Sequence, residues 1–346
     1  MNNTEYEYSP QDFELAGNDH ENYIDENYAS QSYWKDILSR FKKNKGALVG
    51  LVFIALIVIM AAVGPGMNEH TYDSQIISHQ NLAPRIPGIE SFGVFDGTET
   101  MGTSTGTIVV NKYKSNPSLE KTYYWFGTDV LGRDIFTRTW TGTQISLYIA
   151  FIAVAVDMLF GMSYGLISGY FGGTVDMLMQ RFVEVLNGIP TLVLVTLLII
   201  VLKPGLGTIT LALAITGWIG MSRIARAQVL KLKEQEFILA SKTLGARDFF
   251  IIFKDILPNI FGQLIIMSMF SIPNAIFTEA FLAFVGLGVP QPMASLGSLI
   301  SDAFKSFTTH PYMIVFPVVV LAVIMLSFNL LADGLRDAFD PKMKEM

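Results

Sequence analysis

Two acidic side chains, Asp157 and Glu279, lie inside long apolar stretches of the sequence. A charged side chain at the centre of a bilayer costs at least about 2.5–3.5 kcal/mol on insertion scales, so each acid should face protein or water. Each could line a polar cavity, or form an interhelical hydrogen bond that fixes packing. Both interpretations stay open for Asp157, whereas the place of Glu279 near the end of its stretch favours packing. A proton relay is not expected, because no second acid or histidine lies three or four residues away.

The sequence shows no recognisable motif for catalysis, nucleotide binding or metal binding. The chain has no cysteine, and its four histidines (His20, His70, His79 and His310) lack the spacing of metal ligands. We find neither the Gly-x4-Gly-Lys-Ser/Thr loop that cradles nucleotide phosphates nor the His-Glu-x-x-His motif of metalloproteases. We therefore expect no catalytic residue, no bound cofactor, no metal and no enzyme activity in this chain.

Glycine recurs every four residues beyond Asp157, at Gly161, Gly165 and Gly169. Residues four apart share one face of a helix, and glycine on that face lets a neighbouring helix approach closely. The spacing predicts a helix-packing face that also carries Asp157.

The composition is that of a membrane protein. Hydrophobic residues make up 51% of the 346-residue chain and charged residues only 16%, against about 25% in soluble domains. The net charge of −6 argues against nucleic-acid binding, which needs a basic excess. Residues 1–36 hold nine acids against one lysine, Lys35.

Six stretches approach the ~20 apolar residues that span a bilayer. They are residues 47–63, 144–168, 188–202, 206–221, 259–285 and 311–332. Lysine and arginine concentrate just before the first stretch and in the loop 222–258. The positive-inside rule puts these segments in the cytoplasm, so both termini are expected there.

The predicted fold is an all-α membrane protein with six transmembrane helices and a small β-rich extracytoplasmic insertion, with strands at 107–110 and 122–126. The expected regions are an acidic, disordered tail (1–32), an interfacial amphipathic helix with the first span (33–64), the insertion (65–143), a core of five spans (144–333) and a C-terminal tail (334–346). The amphipathic stripe, Trp34, Ile37, Leu38 and Phe41, could alternatively continue the first span.

The loop 222–258 predicts two short helices joined at a glycine. Gly245 fits the position just past a helix end, where φ is positive. A second helix should begin near Asp248, and Pro258 should open the next span, since proline is tolerated in the first helical turn. This elbow, with small residues such as Ala240 at its tip, suits docking into another protein, although it could also be a plain connection.

The loop resembles the coupling loop of bacterial ABC-importer permeases, whose pattern is Glu-Ala-Ala, three residues, Gly, nine residues and Ile-x-Leu-Pro. Leu239-Ala240-Ser241, Gly245 and Leu257-Pro258 occupy the matching positions, with Leu239, Ser241 and Asp255 as departures. Three further blocks, at 126–138, 169–176 and 279–297, are similar to the oligopeptide/dipeptide/nickel branch of these permeases, and in particular to its C-type subunits.

The resemblance implies a type I ABC-importer permease fold in the bacterial plasma membrane, surrounded by lipid. It implies a second six-helix permease subunit, two cytoplasmic ATPases that use ATP and Mg, and an extracytoplasmic peptide-binding protein. It assigns ATPase coupling to Glu236, Ala240, Ser241, Gly245, Leu257 and Pro258. It assigns an outer gate or binding-protein contact to Gly127, Asp129, Gly132, Arg133 and Asp134. Of these, Asp129, Arg133 and Asp134 could instead form a self-contained salt-bridged turn.

Oligopeptides are the expected substrate, with dipeptides or nickel as alternatives within the same architecture. An ion-coupled secondary transporter is less favoured, because such proteins commonly carry internal repeats and none is visible here. A receptor for peptide signals is the remaining alternative.

Overall fold

The computed structural model describes residues 33–103 and 106–339, and the predicted disordered tail (1–32) lies outside them. In chain order the elements are α1 Tyr33–Lys43, α2 Lys45–Val63, β1 Thr98–Thr103, β2 Gly106–Asn111, α3 Lys112–Ser115, α4 Ile135–Val156, α5 Met162–Phe171, α6 Gly173–Asn187, α7 Thr191–Leu202, α8 Leu206–Gly217, α9 Ile219–Leu232, α10 Glu236–Thr243, α11 Asp248–Phe250, α12 Leu257–Leu282, α13 Leu296–Phe304 and α14 Tyr312–Phe339. The π-helical turns Asp157–Gly161 and Ile251–Ile256 join α4 to α5 and α11 to α12, and the turn Ala283–Leu287 extends α12.

Five helical segments of the described residues are long and apolar enough to cross a membrane. They are Lys45–Gly66, Ile135–Phe171, Leu206–Leu232, Asp248–Leu287 and Tyr312–Phe339. Helices α6 and α7 form a further candidate, bent by 77° where Pro190 precedes α7. The chain is thus a mostly helical, multi-pass membrane protein, and six spans result only if the bent pair counts as one.

The helix that contains Pro258 begins earlier than predicted. It starts at Asp248 and continues through the π-helical turn, so Pro258 lies inside a 40-residue helical segment and does not open it. In that turn the Leu257 N–H bonds to the Ile252 carbonyl, five residues back. A widened turn of this kind is one way in which a helix absorbs an irregularity such as the missing proline donor.

Helix α1 is separate from the first long helix. Asn44 stands between them, and its side chain accepts a hydrogen bond of 3.0 Å from the Ala47 N–H as the N-cap of α2. Ile37 and Phe41 are buried against the end of α14, whereas Trp34 and Leu38 are more than half exposed. The apolar stripe is therefore divided between a protein contact and an open face.

Helices α5 and α9 approach each other closely. A Cβ atom placed on Gly165 would lie 2.3 Å from the Ser222 carbonyl oxygen. Equivalent atoms on Gly161 and Gly169 would also lie within 3 Å of carbonyl oxygens of that neighbouring segment. Backbone contacts at this distance exclude any side chain, so the three glycines form a seam along which the two helices touch.

The insertion between α2 and α4 contains less β structure than predicted. Its only sheet among the described residues is the antiparallel hairpin of β1 and β2. The expected strand at 122–126 is wrong, because its backbone extends no sheet and its last two rings pack on helices. Trp125 meets the ring of Phe136 at 4.6 Å, and Phe126 stacks on Phe316 at 3.9 Å.

We expect Gly165→Ala to destabilise the chain by roughly 1–3 kcal/mol, the usual cost of overpacking a tight contact. Gly207→Ala is the matched control, because a Cβ at this helical glycine meets nothing within 4 Å. Thermal unfolding of the detergent-solubilised protein measures both variants. Equal midpoints for the two variants would contradict the seam.

Candidate functional site

The elbow is a helix, a glycine turn and the start of the long helix. Gly245 has φ of 80°, and the Ala246 N–H bonds to the Ser241 carbonyl while the Gly245 N–H bonds to that of Lys242. These two bonds form a Schellman motif, which closes the last turn of α10 and reverses the chain. Gly245 therefore ends α10, as the sequence predicted.

The elbow is fixed to the bundle on one side only. Ile238 is fully buried in a cluster with Ile251 and Ile252. The hydroxyl of Tyr170, at the end of α5, donates a hydrogen bond of 2.6 Å to Asp248. The Lys233 ammonium donates to the Gly169 carbonyl at 3.1 Å. Sequence reasoning predicted none of these contacts, and the two hydrogen bonds join segments that are more than sixty residues apart in the chain.

The opposite side of the elbow is an apolar surface. Leu244 is 87% exposed and Phe249 is 72% exposed, and Phe237 and Leu239 are exposed beside them. The tip therefore carries large apolar side chains as well as the small residues expected. An exposed apolar group of this kind is typical of a protein–protein contact.

The six predicted coupling residues fall into two groups. Glu236, Ala240, Ser241 and Gly245 lie in or directly after α10, and all but the half-buried Ser241 are exposed. Leu257 and Pro258 lie two turns farther along the next helix, beside a groove that they line with Trp34. The structure thus brings four of the residues together and separates the last two.

A salt-bridged turn precedes α4 at the other end of the bundle. One oxygen of Asp129 accepts hydrogen bonds from the backbone N–H groups of Leu131 and Arg133. The other oxygen pairs with the Arg133 guanidinium at 2.6 Å and lies 3.8 Å from Nε of Arg138. Arg133 is 2% exposed and Arg138 is 1% exposed, so two buried cations share this carboxylate.

The remaining residues of this turn hold its shape. Asp134 caps α4 by accepting the Thr137 N–H at 2.8 Å. Gly127 and Gly132 have positive φ, and a Cβ on Gly132 would lie 1.9 Å from the Ile76 carbonyl oxygen. This is the salt-bridged turn that the sequence left open, and it leaves the buried Arg133 and Asp134 little surface for a direct contact with another protein.

A histidine–tyrosine cluster lies under the same turn. Tyr124 stacks on His70, and its hydroxyl is 2.7 Å from Nδ1 of His79. Burial, assisted by the negative charge of Asp134, raises the pKa of Tyr124 to about 12, so its hydroxyl stays neutral. Burial and the neighbouring His70 lower the pKa of His79. Both groups are therefore uncharged packing elements at neutral pH.

A polar cavity of about 530 Å³ lies between the helices, lined by residues of α4, the following π-helical turn, α6, α7, α8, α9 and α12. Its polar lining includes Asp157, Asn187, Thr216, Arg223, Ser271 and Asn274. Asp157 sits at the π-helical turn that begins the glycine seam and is 5% exposed. Glu279 is fully buried elsewhere, with a hydrogen bond of 3.3 Å from Ser146. The structure thus gives the two acids different surroundings.

The elbow, the polar cavity and the candidate membrane-spanning helices together are typical of a membrane permease subunit. Residues 161–345 match the family described as binding-protein-dependent transport system inner membrane component. Residues 32–84 match the N-terminal TM domain of oligopeptide transport permease C. The chain belongs to this family of ABC transporter permeases, and the resemblance drawn from the sequence motifs is confirmed.

Relatives of known name cover almost the whole chain. It is 42% identical to the oligopeptide transport system permease protein OppC of Bacillus subtilis (strain 168), over 91% of this chain and 92% of the relative. It is 41% identical to the dipeptide transport system permease protein DppC of the same organism, over 91% and 88%. The inward-facing MetNI methionine ABC transporter shares the fold, with a TM-score of 0.50 and 16% identity over 59% of this chain and 97% of that one.

We expect Asp129→Asn to lower the stability of the chain by about 3–5 kcal/mol, because it leaves two buried arginines without their shared counter-charge. Glu184→Gln is the control, since its ion pair with Arg181 is more than half exposed on both sides and should be worth less than about 1 kcal/mol. Thermal inactivation of the purified protein measures the difference. A loss no larger than that of the control would show that Asp129 is dispensable to the turn.

Proposed function

We propose that this chain is a permease subunit of an ATP-driven ABC importer for oligopeptides. It forms half of the translocation path and works by alternating access with a second, similar six-helix subunit. The observation that carries the proposal is the elbow, whose glycine turn presents Leu244 and Phe249 to a protein partner. The family to which the chain belongs gives that partner its class, a cytoplasmic ATPase.

Energy transfer through the elbow is supported by its mechanical connections. The chain bonds Asp248 to Tyr170 and Lys233 to Gly169, both at the end of the seam that leads to Asp157. A movement imposed on the elbow would reach the cavity through closely packed backbone, which does not deform easily. Two ATPase subunits would supply that movement, using ATP and Mg that this chain does not itself bind.

Orientation and assembly follow from the same proposal. The elbow and α1 lie at one end of the bundle, and both carry exposed lysines or arginines. The positive-inside rule puts this end, and both termini, in the cytoplasm of a bacterial cell. The outer turn and insertion then face an extracytoplasmic peptide-binding protein, with the shape of the turn held by its buried ion pair.

Oligopeptides are favoured over dipeptides and nickel by two points. The match at residues 32–84 is to a domain of oligopeptide transport permease C, and the insertion before α4 is long for a simple connection. The relative named as a dipeptide transport permease is 41% identical to this chain, almost the same as the 42% of the relative named for oligopeptides. Dipeptide import is therefore the alternative that an uptake experiment must separate.

The test is uptake of a labelled pentapeptide, a labelled dipeptide and labelled nickel in cells lacking the chain and in cells with it restored. We expect restored uptake of the pentapeptide, at least tenfold above the deletion background and abolished by ATP depletion. Restored uptake of only the dipeptide or nickel would keep the architecture and change the substrate. Uptake that survives ATP depletion would favour an ion-coupled transporter. If the chain restores uptake of none of the three probes, the proposed importer function is wrong.

We expect Gly245→Val to reduce that uptake at least tenfold while the chain remains in the membrane. Space is not the obstacle, since a Cβ there meets nothing within 4 Å. The positive φ is the obstacle, because a β-branched residue strongly disfavours it. Gly245→Asn is the matched control and should keep most of the uptake, since asparagine tolerates this conformation. Equal uptake by the two variants would show that the turn geometry is not needed for coupling.

A further inference from the structure

The carboxylate of Asp157 is only half satisfied. Asp157 is only 5% exposed, and the Ser271 hydroxyl lies beside its carboxylate. One carboxylate oxygen, Oδ1, has no hydrogen-bond partner among residues 33–103 and 106–339. A buried polar atom without a partner is costly, and each such atom in a folded protein needs an explanation.

The unpartnered oxygen lies beneath a glycine in the wall of the polar cavity. A Cβ atom on Gly217 would lie 3.5 Å from Oδ1. Asp157, Gly217, Ser271 and Asn274 all line the cavity of about 530 Å³. Oδ1 itself is closed to solvent, and the carboxylate that carries it lines the cavity without a full set of partners.

The charges of the cavity are sparse and opposite in sign. Asp157 and Arg223 are the two charged residues among those that line it in the described chain, and the other polar groups are hydroxyls and amides. Arg223 lies farther along the Leu206–Leu232 segment, toward the elbow. A solute with one cationic end and one anionic end matches this arrangement.

We propose that Asp157 binds a primary ammonium group of the solute inside the translocation path, which rests on the proposed function. An ammonium offers three hydrogen-bond donors and no acceptor. The Asp157 carboxylate can accept one of them, and the Thr216 hydroxyl and the Asn274 amide oxygen, which line the same cavity, can accept others. Charge-assisted hydrogen bonds of this kind are shorter and stronger than neutral ones, and the protein surroundings screen them less than water does.

Two parts of a peptide could supply the ammonium, its amino terminus or a lysine side chain. Both have the same chemistry, so the probes must separate them. We suggest a radiolabelled pentapeptide of alanine and phenylalanine, its des-amino analogue, in which hydrogen replaces the terminal ammonium, and a des-amino analogue that contains one lysine. Equilibrium binding is measured on the complete membrane complex in lipid nanodiscs, without the extracytoplasmic binding protein.

We expect the wild-type complex to bind the free-amine peptide at least tenfold more tightly than the des-amino analogue. Asp157→Asn should bring the two within about twofold, by weakening only the free-amine peptide. Recovery of affinity by the lysine-containing analogue would show that a side-chain ammonium also fits. No recovery would restrict the site to the amino terminus, and both results support an ammonium site.

Two further variants keep the test decisive if Asp157→Asn folds poorly. Gly217→Val retains the carboxylate but fills the cavity beside it, and should also reduce the preference for the free amine. Glu279→Gln is the control, since Glu279 is a buried acid with one unpartnered oxygen that does not line this cavity; its preference should equal that of wild type. An unchanged preference in both Asp157→Asn and Gly217→Val, or no saturable wild-type binding of the free-amine peptide, would overturn the proposal. Peptide uptake by cells that express the wild-type chain would meanwhile leave the importer function standing.

Discussion

The contact between α5 and α9 is the constraint on which the rest of this structure depends. Lipid provides no hydrophobic drive for two apolar helices to associate, so close packing must supply it. Gly161, Gly165 and Gly169 allow backbone to meet backbone along three turns. The seam begins at Asp157, beside the cavity, and ends where Gly169 meets the elbow through Lys233. The glycine seam thus connects the polar cavity inside the bundle with the elbow and its exposed apolar surface.

Charged side chains at the two ends of the bundle have ion-pair partners, whereas Asp157 in its middle has none among the described residues. Near the elbow, Arg226 donates two hydrogen bonds of 2.6 Å to Asp176. At the outer turn, Asp129 serves two buried arginines. These pairs are matched by partners in the same chain, as the desolvation of buried charge requires. Asp157, in the middle, has no ion-pair partner among the described residues, and it lines the polar cavity.

Much of the fold could be predicted from sequence, because its main signals are local. Apolar runs located the crossings, four-residue spacing located the glycine seam, and Gly245 located the end of α10. Predictions failed where distant segments meet. The aromatic run ending at Phe126 has the composition of a strand, yet its rings pack on Phe136 and Phe316. Pro258 resembles a helix start, yet a π-helical turn carries the helix through it.

The sequence by itself determined the class of protein, the number of apolar stretches and the elbow, since hydropathy, helical spacing and glycine conformation are properties of short segments. Tertiary structure alone decided what each charged residue does. Asp157 and Glu279 are both acids within apolar stretches, and in the sequence only the position of Glu279 near the end of its stretch separated them. In the structure Asp157 lines a cavity and Glu279 is enclosed beside Ser146. Burial and hydrogen bonding depend on residues more than fifty positions away in the chain, and only the folded arrangement of the helices brings them together.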